Sequence, residues 1–198
     1  MTTTGAYPGS CHCGIVQYQI RLTFPPVHDV NAESIRLYKC NCTTCHKMGF
    51  FHCRPINPGE DFILTAPSPS ELGEYRCFDK RIGWYFCKNC GVRTFAMGGN
   101  WEEAELDVEK WAGKDSKAET MKVWKATAGE SFKRVVDGKE IIKPLHYLSV
   151  NAVTLNGGEG GVDLREWHDK KWVFYVENLE RKNGTLMRID EPYPGGLY

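Results

Sequence analysis

Seven of the nine cysteines in this chain fall into three tight clusters, and no other feature restricts its fold as strongly. Cys11 and Cys13 flank one residue, Cys40, Cys42 and Cys45 form a Cys-x-Cys-x-x-Cys triplet, and Cys87 and Cys90 form Cys-x-x-Cys. Two cysteines one or two residues apart can aim both sulfurs at one ion across a tight turn, a spacing that suits a soft tetrahedral cation better than a disulfide. A glycine follows both outer pairs, at Gly14 and Gly91, where it lets the backbone take a positive φ. That shared feature pairs Cys11 and Cys13 with Cys87 and Cys90 as one closed, structural zinc site. The triplet then holds a second zinc with three sulfurs, giving two Zn2+ per chain. Its fourth position is open to water, an exogenous thiol, or a protein group such as His46, His52 or Cys53. Filled by protein, the site is a second structural zinc; left open, it is where a substrate thiol binds and loses its proton.

Composition narrows the class. Lys+Arg and Asp+Glu both number 25, so the chain lacks the basic excess of a dedicated nucleic-acid binder. No apolar run approaches the ~20 residues that span a bilayer, so no membrane partner is expected. The N-terminal Met1-Thr-Thr-Thr-Gly-Ala has neither a basic start nor an apolar stretch, which implies a cytoplasmic protein whose thiols stay reduced and free for metal. Nine cysteines cannot all pair within one chain, and the Asn-x-Thr triplets at Asn41 and Asn183 are chance matches in such a compartment. Cys53 and Cys77 read as small buried hydrophobes. His12 is expected to point outward, and His28, His146 and His168 are isolated.

The hydrophobic pattern is mainly β, with short helices. Strands are predicted over residues 15–22, 34–39, 61–65, 92–97 and 147–155, and a hairpin over 73–78 and 82–86 delivers Cys87. Helix is expected over 164–168 and, more weakly, from Cys42 to Met48. Lys171-Trp-Val-Phe-Tyr-Val fits strand or helix equally. Residues 1–198 read as a single zinc domain. A charged stretch over about 100–145 looks like an insertion with its own strands, at 105–109 and 121–124, and the Pro/Gly-rich C-terminal tail ends in aromatic residues that would pack back or hang loose. Trp84, just before the Cys87 knuckle, is placed near the metal region. Self-association into a homo-oligomer is left open.

Gly9-Ser-Cys-His-Cys-Gly14, Cys40-Asn-Cys-Thr-Thr-Cys45-His-Lys, Phe86-Cys-Lys-Asn-Cys-Gly91 and Val150-Asn-Ala-Val-Thr-Leu155, in this order, resemble the glutathione-dependent formaldehyde-activating enzyme family, which includes the centromere protein V group. The resemblance implies a compact Mss4-like β fold. It implies a structural zinc on Cys11, Cys13, Cys87 and Cys90, and a catalytic zinc on Cys40, Cys42 and Cys45. It also implies a carbon–sulfur lyase that acts on S-hydroxymethylglutathione, with glutathione or a glutathione conjugate as partner. Val92-Arg93-Thr94-Phe95 after the second knuckle and the long charged stretch depart from the family pattern and point to a bulkier conjugate. Lys47, Arg54, Lys80 and Arg81 are cations near the motifs, each read as a solvated surface charge. The alternative function is a non-catalytic, zinc-stabilised binding module of the centromere protein V type.

Overall fold

Strand alternation, short turns and two glycine-tipped knuckles build a fold of two facing sheets. The computed structural model describes residues 2–26, 36–136, 139–180 and 186–197. His28, Ser34, Asn183 and Tyr198 lie outside the described residues. Strands β1 (Thr3–Ser10) and β2 (Gln17–Phe24) form an antiparallel pair joined by the first cysteine knuckle. β3 (Arg36–Cys40) leads into α1 (Thr43–Met48), and β4 (Phe51–Arg54) returns antiparallel beside β3. Next come β5 (Phe62–Ala66), β6 (Gly73–Arg76), β7 (Gly83–Phe86), β8 (Arg93–Gly98) and β9 (Asn100–Leu106). After α2 (Val108–Trp111) follow β10 (Met121–Thr127), β11 (Ser131–Val136), β12 (Lys139–Pro144) and β13 (Tyr147–Asn151). The chain closes with α3 (Leu164–Asp169), β14 (Val173–Glu177) and β15 (Leu186–Arg188).

Five strands form one sheet in the order β1-β2-β5-β10-β9, eight form the other in the order β15-β14-β3-β4-β13-β8-β7-β6, and β11–β12 stand apart as a two-stranded ribbon. Period-two alternation sorts the side chains. Tyr18, Ile20 and Leu22 of β2 and Phe62 and Leu64 of β5 face Leu37, Phe51, Cys53, Phe95, Met97, Leu148 and Val150 of the larger sheet in the main core. The opposite face of the larger sheet carries a second cluster of Cys40, Cys42, Cys45, Phe50, Trp84, Ala96 and Val176. Ile63 and Val123, on the outer face of the smaller sheet, are covered by Trp111 of α2. Among the described residues no helix is long and apolar enough to cross a membrane.

The mainly β reading with short helices holds. Several local expectations differ. The predicted 147–155 strand ends at Asn151, ahead of a 3-10 turn over Ala152–Thr154. The strand predicted over 105–109 stops at Leu106, because the Asp107 carboxylate accepts from the Lys110 N–H at 3.0 Å and caps α2. β1 has no hydrophobic alternation to announce it; it is an edge strand held by backbone pairing with β2. β4, also not predicted, follows α1 after only Gly49 and Phe50. The ambiguous segment at 171–176 is strand: β14 pairs parallel with β3, bringing Val176 opposite Cys40. β9 and β10, from the charged stretch, are strands of the five-stranded sheet. In the tail, the Arg188 guanidinium lies 4.0 Å from the centre of the Tyr193 ring.

Candidate functional site

The two knuckles are built alike. At the first, the Cys11 N–H donates to the Val16 carbonyl at 3.0 Å and the Gly14 N–H to the Cys11 carbonyl at 3.1 Å. At the second, the Cys87 N–H donates to the Val92 carbonyl at 3.0 Å and the Gly91 N–H to the Cys87 carbonyl at 2.9 Å. Gly14 and Gly91 sit at φ +78° and +73°, the left-handed conformation that glycine adopts without strain. The four sulfurs lie within 4.8 Å of one another. Cys11 Sγ is 3.5 Å from Cys13 Sγ, and Cys13 Sγ is 3.6 Å from Cys87 Sγ. Zinc–sulfur bonds of about 2.3 Å in a tetrahedron put neighbouring sulfurs ~3.8 Å apart, so the group fits zinc with little adjustment. Hydrogen bonds from the Asn89 side chain and the Ile15 N–H lower the Cys13 thiol to about 6, whereas burial raises Cys87 to about 11. Because Cys11 and Cys13 join β1 to β2 and Cys87 and Cys90 lie between β7 and β8, this group ties the two sheets together.

The triplet is folded by local geometry. Cys40 ends β3, Cys42 caps α1, and Cys45 lies in the helix. The Cys42 N–H donates to Cys40 Sγ and the Cys45 N–H to Cys42 Sγ, each at 3.4 Å. All three sulfurs are buried and lie within 4.8 Å of one another. Proton sharing with Cys40 and Cys45 lowers Cys42 and raises its two neighbours. Three thiolates this close repel, and only a cation among them lets all ionise together. The donor set of three soft sulfurs suits zinc.

Asn41, between two of the sulfurs, locks the loop to β14. Its Oδ1 accepts from the N–H groups of Asn178 at 2.7 Å and Leu179 at 3.0 Å, and its Nδ2 donates to Glu177 Oε2 at 2.5 Å. Sequence reading gave Asn41 no structural role; its buried amide makes three hydrogen bonds.

Of the protein groups weighed for the triplet's fourth position, one lies near it. His46 is exposed, and Cys53 faces the main core on the other side of β4. His52 Nε2 is 3.1 Å from Cys45 Sγ. Yet among the described residues the donor atoms grouped within 4.8 Å are the three sulfurs alone. The imidazole is clamped. Tyr38 stacks on it at 4.2 Å and 7°, Phe50 packs at 4.7 Å, and Nδ1 lies 2.9 Å from Ser149 Oγ and 3.4 Å from the Tyr147 hydroxyl. Burial lowers its pKa to about 3, so the ring is neutral and carries one N–H. Trp84 closes the same wall edge-on to Phe50 at 5.1 Å, which places it at the triplet rather than at its sequence neighbour Cys87.

Cys53 is fully buried, as expected. Cys77 is only half-buried, with Sγ 3.6 Å from Thr44 Oγ1 of α1. Among the four candidate cations, Lys47 is exposed, Arg81 is held by Asp79, and Lys80 is exposed. Arg54 alone joins the aromatic layer, over the Tyr147 ring at 4.7 Å, with a buried Nε that has no hydrogen-bond partner among the described residues. Tyr147 in turn meets the Tyr38 hydroxyl at 3.2 Å. His52, Tyr38, Tyr147, Ser149 and Arg54 thus extend the triplet into a polar row that cysteine spacing does not reveal. Strand period was the available signal: Phe50, His52 and Arg54 alternate onto one face.

The sequence model of the glutathione-dependent formaldehyde-activating enzyme family, GFA, matches residues 6–126, more than half of the chain and all seven clustered cysteines. This chain belongs to the GFA family. The GFA chain is also similar to a crystal structure of a Rhodobacter sphaeroides protein, at 18% identity and a TM-score of 0.41, over 80% of this chain and 93% of that one. Family membership supports a glutathione-related, formaldehyde-activating type of chemistry, and both cysteine groups of this GFA member are able to hold zinc.

Proposed function

We propose that the protein is a zinc-dependent carbon–sulfur lyase acting on a glutathione adduct of the S-hydroxymethylglutathione type or a bulkier conjugate. In this reading Cys11, Cys13, Cys87 and Cys90 hold a structural zinc, and Cys40, Cys42 and Cys45 hold a catalytic one. The observation that carries it is the triplet's incomplete donor set: three grouped sulfurs with the nearest imidazole pinned to one of them. Zinc bound there supplies a Lewis acid that favours the thiolate form of an entering thiol.

The chain's residues do the rest. His52, with Nδ1 accepting from Ser149 or Tyr147, donates Nε2–H to Cys45 and fixes that sulfur, a positioning role of the kind that outer partners play at metal sites. Phe50, Tyr38 and Trp84 exclude water from the triplet. In the breakdown direction the adduct's hydroxyl loses its proton, the carbonyl double bond forms, the carbon–sulfur bond breaks, and glutathione leaves with a proton on sulfur. Synthesis runs these changes backward. In this reading the Tyr38–Tyr147 hydroxyl pair exchanges the hydroxyl proton. Arg54 provides a cation for an adduct carboxylate.

The test is an assay of carbon–sulfur bond formation and cleavage, first with S-hydroxymethylglutathione and then with larger glutathione conjugates. Turnover by wild type and its loss in a folded Cys42→Ser variant are expected. A wild type carrying both metals that is inert on every adduct would overturn the reading.

A further inference from the structure

A cleft of about 430 Å³ lies on the other side of β3 from the triplet, bounded by β4, α3 and the C-terminal segment. Phe51, Leu164 and Leu197 give it apolar walls. Lys39, Arg165 and His168 also line it, and no carboxylate does among the described residues. Neither cysteine group contributes to the lining.

Lys39 is the unusual member. β3 alternation turns Tyr38 and Cys40 toward the triplet and Lys39 toward the cleft, where it is only 8% exposed. Its ammonium lies 4.9 Å over the Phe51 ring and forms no ion pair among the described residues. A ring face compensates an ammonium only in part, and a desolvated cation without a counter-charge opposes folding. Arg165 differs: its side chain is 87% exposed at the mouth and pairs with Asp163 at 2.7 Å. His168 is occupied by the Tyr175 hydroxyl at 3.4 Å. Among the described residues, Lys39 is therefore the buried charge in the cleft that lacks an anion.

We propose that this cleft binds a carboxylate on an apolar stem, the carboxylate pairing with Lys39 and the stem lying against Phe51, Leu164 and Leu197. Two sources share that chemistry. One is a free short-chain carboxylate. The other, which rests on the function proposed above, is a carboxylate on the organic group of a bulkier adduct at the triplet, reaching round the end of β3 where Lys39 adjoins Cys40 and Gly49 ends α1.

Hexanoate, 1-hexanol and hexylamine are titrated calorimetrically into the full chain purified without chelator, as wild type and as Lys39→Met. Methionine keeps the length and removes the charge, so the variant is expected to fold with an equal or higher Tm. Hexanoate should bind wild type at least tenfold more tightly than the alcohol or the amine, and Lys39→Met should weaken hexanoate at least tenfold while leaving the alcohol unchanged. Equal hexanoate affinity in the two proteins, or no hexanoate binding to folded wild type, overturns the proposal. Steady-state kinetics separate the sources: an adduct carboxylate predicts a raised KM in Lys39→Met, and a free carboxylate predicts an unchanged one. Failure of every adduct as a substrate would sink the lyase reading and leave the hexanoate comparison standing.

Discussion

The two cysteine groups offer the same donor atom and differ first in reach. The outer group gathers residues 74 positions apart in sequence and joins two sheets. The triplet gathers three sulfurs from one six-residue segment, where β3 ends and α1 begins. By loop-closure entropy, a link across 74 residues restrains the unfolded chain by about 2 kcal/mol more than one across five. Burial runs the other way. Cys13 is exposed and Cys90 half-exposed at the outer group, whereas the triplet cysteines are buried beside Phe50, Trp84, Tyr38 and His52. In the function proposed above, a metal in the outer group would contribute to the fold, and one in the triplet would add little to it. The pinned histidine, the tyrosine pair and the arginine are found only around the triplet.

The largest expected effect breaks the outer group. Cys11→Ser or Cys90→Ser should forfeit much of a metal-binding free energy on the order of 10 kcal/mol, seen as collapse of soluble yield and of the cooperative thermal transition. Unchanged Tm in both variants would remove the structural role. Cys42→Ser should keep the wild-type circular dichroism spectrum and lose carbon–sulfur bond turnover; a variant that unfolds like Cys11→Ser erases the contrast. His52→Gln should fold with a loss of about 1–3 kcal/mol, because Ser149 and Tyr147 lose a buried partner. Its turnover should drop about 10–100-fold, the usual cost of removing an outer partner of a metal ligand. Full activity would mean that His52 merely fills space. The smallest effect sharpens the likeness of the two knuckles. Gly14→Ala and Gly91→Ala should each cost about 1–2 kcal/mol in chemical denaturation, by forcing a side chain into the left-handed region. A much larger loss at one would show that the knuckles carry unequal loads.

What the sequence disclosed follows the same division between local and distant. The grouping of the seven cysteines was legible because ligand spacing and the trailing glycines are local marks, and the strands at β2, β5 and β8 were legible from alternation. His52 was only one of several options for the triplet, because its approach to Cys45 depends on the β3–β4 register that sets Tyr38 opposite His52. The strand at 173–177 could not be told from a helix, since its partner β3 lies far away in sequence and pairs with it in parallel. Asn41 hid for a related reason: its three hydrogen bonds reach residues more than 130 positions downstream. Lys39 reads as one lysine among many until β3 turns it away from the triplet and into an apolar cleft. Asp107 lies inside the strand predicted over 105–109, and its role as the cap of α2 shows only in the structure.

Stepwise chelation tests the central contrast most directly. A metal-loaded sample is titrated with a competing chelator while released zinc, circular dichroism and turnover are followed together. The account predicts that a first equivalent leaves with loss of turnover and no change in the β signal, and that a second leaves only as the fold is lost. Release of both equivalents in one step coincident with unfolding, or unfolding on release of the first, would contradict it.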